Sequence, residues 1–436
     1  MTETGPASTR LPMVMTGAAL FPRDEIVSGW RQWAVLAALF LVSLISQIDR
    51  ILPFILAEAI RSDLDLSDTQ IGLITGVAFA ICYSLLSLPL ARAADRGSPR
   101  LVLVACVLGW SVMTALGGLA AGFLFLAFTR LGVAFGEAGA VPSGHAIIAR
   151  KIAPDRRGLA IGIFSVGIPL GTMVGFAAGG ALADALGWRP VLIGAGALGV
   201  LIGLFALLAL GPTPTIRHSG DARPFLEESL TLLSSRAFRW LFIGAVGLGF
   251  AAAPFYAFSA PFLIRTHGFT AGEVGLSFGL LQGALGIVGA VAGGRGFDRA
   301  VRAGTGRLLG VPAAALLVAS VCTVAALFAP AGWMAIALCV PAMFAFAFLM
   351  PWCFGAAHLV AGQGRQAMAS SLLMIGSGLF GPSLGPLLVG LISDTATACE
   401  IPNGLGLGLL IVPLASVITA AVLLIANQRV REALSR

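Results

Sequence analysis

The residues most able to do chemistry stand inside a strongly apolar stretch. The segment SQIDRIL, residues 46–52, places an acid and a base side by side, Asp49 and Arg50, with apolar runs on both flanks. If this stretch crosses a membrane, each charge is costly unless it is paired or hydrated, and such residues usually mark a substrate or ion pathway. Asp49 and Arg50 are therefore the first candidates for function.

A second acid and base lie in another apolar stretch. Arg130 and Glu137 are spaced so that a helix would carry them on one face, two turns apart. Counting 1.5 Å of rise per residue from the same membrane surface, Asp49 lies at ~16 Å, Arg130 at ~10 Å and Glu137 at ~21 Å. These depths predict that Arg50 pairs with Glu137. They also predict that Asp49 pairs with Arg130 or with a water.

This cluster has the chemistry of proton-coupled anion binding. A carboxylate beside an arginine can take up a proton, which frees the guanidinium to bind a carboxylate or phosphate through two parallel hydrogen bonds. We therefore assign Asp49 and Glu137 to proton coupling, and Arg50 and Arg130 to substrate binding. The alternative is a structural ion-paired cluster that locks two helices together, although apolar packing would do so at lower cost.

The composition indicates an integral membrane protein. Hydrophobic residues make up 58% of the 436 residues, charged residues make up 11%, and the mean hydropathy is +0.96. Soluble domains carry about 25% charged residues. The net charge of +7 is spread over short loops, so it predicts no nucleic-acid partner.

Twelve apolar runs approach the length of about 20 residues that a bilayer requires. With the N-terminus placed in the cytoplasm, most of the 27 basic residues fall on the cytoplasmic side, whereas Arg61, Arg189 and Arg265 fall on the outer side. We therefore expect a multi-pass protein of a bacterial inner (plasma) membrane with both termini in the cytoplasm. The runs lie near 33–60, 70–90, 101–121, 123–149, 158–183, 190–211, 240–264, 271–293, 307–329, 333–359, 367–391 and 404–427.

The two halves of the chain repeat each other. LSDTQIGLITG (66–76) matches FTAGEVGLSFG (269–279), and the same register pairs ARAADR (91–96) with GRGFDR (294–299). Each copy opens with a capping box, Ser67-x-x-Gln70 and Thr270-x-x-Glu273, which starts a helix. Two related six-helix halves are typical of secondary transporters.

A polar connection separates the halves. In it, Leu226, Leu230 and Leu233 recur at helical spacing, which predicts a helix lying on the membrane surface. We expect an all-α protein with twelve transmembrane helices in two six-helix pseudo-repeat bundles. The predicted domains are a cytoplasmic arm (1–30), an N-terminal bundle (31–211), a linker with the amphipathic helix (212–239), a C-terminal bundle (240–427) and a cytoplasmic tail (428–436).

With these features the sequence resembles the major facilitator superfamily, which carries a Gly-x-x-x-Asp-Arg-x-x-x-Arg signature between helices 2 and 3. Ala91 replaces the glycine in the first copy here. We assign the remaining signature positions to a gate on the cytoplasmic side. They are Asp95, Arg96 and Arg100, and in a second, degenerate copy Asp298 and Arg299.

Physical reasoning gives the two aspartates of this gate a specific task. We expect Asp95 to cap the positive N-terminus of helix 11, near residue 367, and to pair with a nearby arginine. By symmetry, Asp298 would face the start of helix 5, near Arg156 and Arg157. Both contacts would hold the halves together on the cytoplasmic side.

A narrower resemblance connects the chain to the spinster-like branch of the superfamily, whose members include lysolipid and sphingolipid transporters. It implies an amphipathic anionic or zwitterionic substrate. It is carried by IDR in helix 1, LSDTQIGLITGVAFAICYSLLSLPLARAADR in helix 2, TRLGVAFGEAGAVPSG in helix 4 and PDRRGLAIGIFSVGIPLG in helix 5.

The C-terminal half offers polar and aromatic residues in place of charge. We expect four of them to line its side of a substrate cavity, and we expect Pro254 and Pro261 to break helix 7 so that it bends as a gate. The four are Tyr256, Ser259, Gln282 and Trp352. Packing within the bundle is the alternative for each.

Three classes of function remain open. The first is a proton-coupled transporter of a lysolipid or sphingolipid, and the second is a small organic anion symporter or a drug-type efflux antiporter. The third, a membrane-embedded lipid enzyme, lacks a Ser/His/Asp group or a metal cluster, and Arg150 precedes the single lysine, Lys151, so no Walker A motif is present. We expect a monomer that is not an enzyme, with protons, membrane lipids and a small-molecule or lipid substrate as partners, and no cofactor.

Overall fold

The computed structural model describes residues 27–212, 225–304, 308–362 and 365–434. Within these residues, twelve helices are long and apolar enough to span a membrane, which confirms the predicted number. We number them spans 1 to 12 in chain order. They are Gly29–Ile55, Asp68–Ala94, Pro99–Gly117, Phe123–Lys151, Arg157–Leu186, Trp188–Ala209, Arg236–His267, Ala271–Arg302, Gly310–Leu327, Gly332–Ala361, Met368–Ala398 and Gly404–Ala433.

Two shorter helices lie outside the spans. Ala57–Asp63 follows span 1, and Phe225–Ser234 precedes span 7. We call the membrane end that holds Ala57–Asp63 the far end, and the end nearer to both chain termini the terminal end. Because the number of spans is even, span 1 begins and span 12 ends at the terminal end.

The predicted capping boxes are confirmed at the starts of spans 2 and 8. Ser67 Oγ accepts a hydrogen bond from the backbone N–H of Gln70 at 3.2 Å, and Thr270 Oγ1 does the same for Glu273 at 3.2 Å. A π-helical turn follows each box, Leu73–Val77 in span 2 and Gly275–Gly279 in span 8. The repeat seen in sequence is therefore a repeat in backbone conformation.

The two six-span bundles meet at the far end. Span 2 packs along span 11, and span 5 packs along span 8, so each contact pairs one span from each half. Hydrogen bonds between the halves reinforce both contacts, from Asp394 to the start of span 2 and from Asp184 to the start of span 8. In this conformation the far end is closed.

The three basic residues predicted on the outer side all lie at the far end, and each has an acidic partner. Arg61 binds Glu58 at 3.0 Å, and Arg265 binds the same carboxylate at 2.7 Å. Arg189 forms an ion pair with Asp63, and its hydrogen bond holds the pKa of that carboxyl below its usual value. The exceptions to the charge bias are thus neutralised locally.

Basic residues at the terminal end instead bind the carbonyl ends of helices. Arg150 donates to the carbonyl oxygens of Gly97 at 3.3 Å and Ala94 at 3.2 Å, where span 2 ends. Lys151 donates to the carbonyl of Leu210 after span 6. Positive charge is favourable there because the helix dipole is negative at its C-terminus.

One detail of the sequence prediction was wrong. Pro254 and Pro261 do not break span 7, which is one continuous helix. Proline is tolerated inside membrane helices because nearby groups can satisfy the carbonyls it leaves unpaired. In the linker, a helix spans Phe225–Ser234; Leu230 on it is 59% exposed, and Leu233 is partly buried. The side chain of Leu226 lies outside the described residues.

Close helix packing within the C-terminal bundle generates a stability prediction. A Cβ atom added to Gly289 would lie 2.8 Å from the carbonyl oxygen of Phe344, whereas one added to Gly286 would meet nothing within 4 Å. We expect Gly289→Ala to destabilise the protein by about 1–3 kcal/mol, since overpacking forces backbone shifts. Gly286→Ala, one turn away, should have no such effect. Melting temperatures in detergent test this, and equal melting temperatures would contradict the packing.

Candidate functional site

Asp49 and Arg50 diverge because consecutive helical residues point about 100° apart. Asp49 turns into the N-terminal bundle and is fully buried, whereas the side chain of Arg50 remains 32% exposed. On span 1, the base Arg50 is therefore accessible, whereas the neighbouring acid Asp49 is buried.

Arg50 binds Glu137 of span 4 directly. Its Nε lies 2.5 Å from Oε2 of Glu137, a carboxylate that is fully buried. The other carboxylate oxygen, Oε1, has no hydrogen-bond partner among the described residues. The pairing expected from the depths of spans 1 and 4 is the one that the structure forms.

Two aromatic residues of span 2 flank this ion pair. The guanidinium carbon of Arg50 lies 4.7 Å from the ring centre of Tyr83 and 5.1 Å from that of Phe79. The guanidinium carbon of Arg130 lies 5.7 Å from the ring centre of Phe79. Aromatic faces attract cations, more strongly where water is excluded. Tyr83 and Phe79 thus hold the position of Arg50 independently of Glu137.

Sequence reasoning missed both aromatic residues. They stand four residues apart in a segment quoted above for its resemblance to relatives, so a helix places them on one face. That spacing is the signal that could have identified them. It does not say which face of span 2 meets span 1.

Asp49 is held differently from Glu137. Neither of its carboxylate oxygens has a hydrogen-bond partner among the described residues. The polar side chains that face it are Trp110 and Thr114 of span 3, whose Nε1 and Oγ1 also lack partners there. Arg130 donates to the backbone carbonyl of Asp49 at 3.4 Å instead of binding its carboxylate. Of the two expected pairings for Asp49, the structure therefore does not form the one with Arg130.

A narrow cavity adjoins this cluster within the N-terminal bundle. Thr114, Thr129 and Arg130 line its polar part, and Ile60 and Ile71 line it toward the far end. A second cavity lies in the C-terminal bundle, where Ser259 and Thr323 are its polar lining. No acid or base is among the residues that line this second cavity.

The two cavities share a second repeat that sequence reasoning missed. Ser111-Val-Met-Thr114 of span 3 corresponds to Ser320-Val-Cys-Thr323 of span 9. The same scaffold therefore carries hydroxyl groups in both halves, and only the N-terminal cavity also has a charged lining residue, Arg130.

The C-terminal residues predicted to bind substrate do not join the charged cluster. Ser259 lines the C-terminal cavity, and Gln282 is buried with Oε1 lacking a partner among the described residues. Trp352 packs against Phe297 and Phe348 inside its bundle, with both ring centres 5.8 Å away. Tyr256 is partly exposed and lies edge-on to two rings, those of Phe255 and Phe346.

The predicted gating residues whose side chains the structure describes, Arg100, Asp298 and Arg299, show no contact between the halves. Asp95 and Arg96 directly follow span 2, in the last turn of the same helix, and their side chains lie outside the described residues. Arg100 donates to the carbonyl of Leu207 at 2.5 Å, within its own half. Asp298 and Arg299 are exposed at the terminal end.

Comparisons with known proteins agree with this architecture. The family model of the Major Facilitator Superfamily matches residues 37–386. The chain is 35% identical over 399 residues to a protein of Mycolicibacterium smegmatis named MFS-type efflux pump, covering 90% of this chain and 91% of that one. It is 23% identical to the probable L-galactonate transporter of Escherichia coli, covering 84% and 83%.

A solved structure gives a further comparison. It is a bacterial homolog of the human lysosomal transporter Spinster, in an inward-facing and unoccupied conformation. The similarity has a TM-score of 0.78 at 28% sequence identity, and covers 94% of this chain and 98% of the other.

The different surroundings of the two buried acids predict opposite effects on stability. Glu137→Gln should lower the melting temperature, because a charge-assisted hydrogen bond to Arg50 is worth about 1.5–3 kcal/mol. Asp49→Asn should leave it unchanged or raise it, because it removes a carboxylate that has no hydrogen-bond partner among the described residues. Thermal unfolding in detergent at neutral pH measures both. An equal loss of stability in the two variants would contradict this account.

Proposed function

The chain belongs to the major facilitator superfamily, and on this basis we propose that it is a proton-coupled secondary transporter of an amphipathic anionic or zwitterionic substrate. It is an integral, multi-pass membrane transporter and not an enzyme. The proposal concerns what it carries and which ion drives it. The observation that supports it is the ion pair between the accessible Arg50 and the buried Glu137.

The geometry supplies a way to exchange a proton for a substrate. While Glu137 is ionised, its Oε2 occupies the guanidinium of Arg50. Protonation of Glu137 removes the charge that holds the pair, and the guanidinium becomes free to bind a carboxylate or phosphate of the substrate. Tyr83 and Phe79 keep it in place during the exchange. Asp49, one residue away, is the second proton-coupling acid in this proposal.

Several substrates share the required chemistry. The resemblance to spinster-like proteins favours a lysolipid or sphingolipid, in which a charged head group would bind Arg50. The galactonate transporter favours a small organic anion, and the efflux pump favours a drug-like molecule. We propose the lipid class first, and a small-anion symporter or an efflux antiporter as the alternative.

The charge distribution supports an orientation. We propose that both termini lie in the cytoplasm of a bacterial cell, that the far end faces outward, and that the transporter acts as a monomer. On this assignment the described conformation is inward-facing, because the contacts between the halves lie at the far end.

The substrate class can be tested in proteoliposomes that contain the purified chain. Uptake or counterflow would be measured with an imposed pH gradient for a lysophospholipid, a sphingoid phosphate, galactonate and a cationic dye. Acceleration of lipid movement by the pH gradient is the expected result. Acceleration for galactonate or the dye, with none for the lipids, would instead support the alternative.

We expect Glu137→Gln and Asp49→Asn to abolish transport driven by a pH gradient, because each removes an acid that would carry the proton. Folding, and substrate exchange without a gradient, should persist. Glu273→Gln is a control, since Glu273 is an exposed capping residue at the far end. Full dependence on the pH gradient in both site variants would contradict the assignment of the proton to either acid.

We expect Arg50→Lys to weaken substrate binding by about tenfold or more, although it retains the positive charge. A guanidinium forms two parallel bonds to an anion, whereas an ammonium acts as a point charge, and one charge-assisted bond is worth about 1.5–3 kcal/mol. The measurement is affinity by scintillation proximity on purified protein. If this variant binds substrate as tightly as the wild type, Arg130 and not Arg50 would be the residue that binds the head group.

A further inference from the structure

The far end contains two contacts that repeat each other across the halves. Asp394, near the end of span 11, accepts hydrogen bonds from the backbone N–H groups of Asp68 at 2.9 Å and Thr69 at 2.8 Å, in the first turn of span 2. Asp184, near the end of span 5, accepts from those of Ala271 at 3.2 Å and Gly272 at 2.8 Å, in the first turn of span 8.

Each aspartate accepts hydrogen bonds from N–H groups at a helix start in the opposite half, where the described residues of the helix's own half supply no partner for them. A helix begins with four N–H groups that lack partners within it. In span 8 the capping box satisfies the N–H groups of Thr270 and Glu273. The two N–H groups between them are those that bind Asp184. The same division holds in span 2, where the box satisfies Ser67 and Gln70. Both helix starts are therefore fully paired when the halves are docked.

A glycine one turn before each aspartate permits the docking. A Cβ on Gly180 would lie 2.7 Å from the carbonyl carbon of Ala271, and a Cβ on Gly390 would lie 2.7 Å from the Cα of Thr69. The motif Gly-x-x-x-Asp thus appears in spans 5 and 11, and each copy meets the repeated capping box of the opposite half. The glycine brings the backbones together, and the carboxylate binds the exposed amides.

The two contacts differ in strength. Asp394 also accepts from the hydroxyl of Thr69 at 2.5 Å. Next to it, Asp68 binds Arg265 of the opposite half at 2.7 Å. At the matching positions of span 8 stand Ala271 and Gly272, which can form neither contact. Asp184 is exposed to solvent, which weakens a charge interaction further.

We propose that Asp184 and Asp394 form a two-part latch that holds the far end closed, and that the Asp184 contact releases before the Asp394 contact. The gap between spans 5 and 8 then opens first at this end. The latch goes beyond the transport chemistry of Arg50 and Glu137, because it sets which end of the molecule is open. It depends neither on the substrate nor on the coupling ion.

Hydrogen–deuterium exchange on the purified full chain, without substrate, reads the latched amides directly. In Asp184→Ala, exchange in the peptide containing 270–273 should become about tenfold faster, since each lost bond is charge-assisted. The peptide containing 67–70 should keep its wild-type rate. In Asp394→Ala, both peptides should exchange faster, because the stronger contact is lost. Asp65→Asn is the matched control, an exposed acid at the same end for which no change is expected.

Other outcomes would overturn the proposal. Unchanged exchange at 270–273 in Asp184→Ala would show that the carboxylate does not protect these amides. Equal acceleration at both helix starts in Asp184→Ala would contradict the order of release. If an alanine variant does not fold, Asp184→Asn and Asp394→Asn retain one acceptor and should show smaller changes in the same pattern. None of these results depends on proton coupling, so the latch and the proposed function can fail separately.

Discussion

The bond between Arg50 and Glu137 constrains the rest of the site. A fully buried carboxylate is expensive, and its cost falls when a guanidinium binds it at 2.5 Å. Spans 1 and 4 must therefore stay side by side at one depth, and span 2 must place Tyr83 and Phe79 against the cation. The C-terminal bundle carries no such requirement around its cavity, whose polar lining is the hydroxyl groups of Ser259 and Thr323. The asymmetry between two similar bundles is thus an asymmetry of buried charge.

Periodicity and depth were sufficient to predict the architecture. The twelve runs, the capping boxes and the partner of Glu137 follow from positions along helix axes, which a sequence specifies well. The orientation of residues around those axes was harder. Arg130 has the right depth to reach the carboxylate of Asp49 but binds the backbone beside it. Trp352 lies in an apolar run whose every face looks alike, and it packs inside the bundle.

The acids at the far end were missed for a related reason. Asp184 and Asp394 stand where apolar runs end, a position at which charge needs no explanation. Their importance comes from contact with the opposite half, at helix starts far away in sequence. The repeat of Gly-x-x-x-Asp in spans 5 and 11 is visible in the sequence, but the repeat alone does not say what the carboxylate binds.

The far-end ion pairs and the Arg50–Glu137 pair differ in how easily they separate, because they differ in exposure to water. At the far end, the ion pair of Arg189 with Asp63 is exposed, and such pairs contribute little to stability because water competes for both partners. Glu137 lies out of water, where an unpaired charge is far more costly. An exposed contact of this kind can therefore separate into solvent at low cost. The buried pair, in contrast, can separate only when its charge is neutralised or replaced.

Asp49 lies beside that pair on span 1. After one short break at Leu56, the same helical path leads to Glu58 and its partner Arg265. The chain thus joins an interaction that responds to charge to the ion pairs of the closed far end, along a single helical path with one short break.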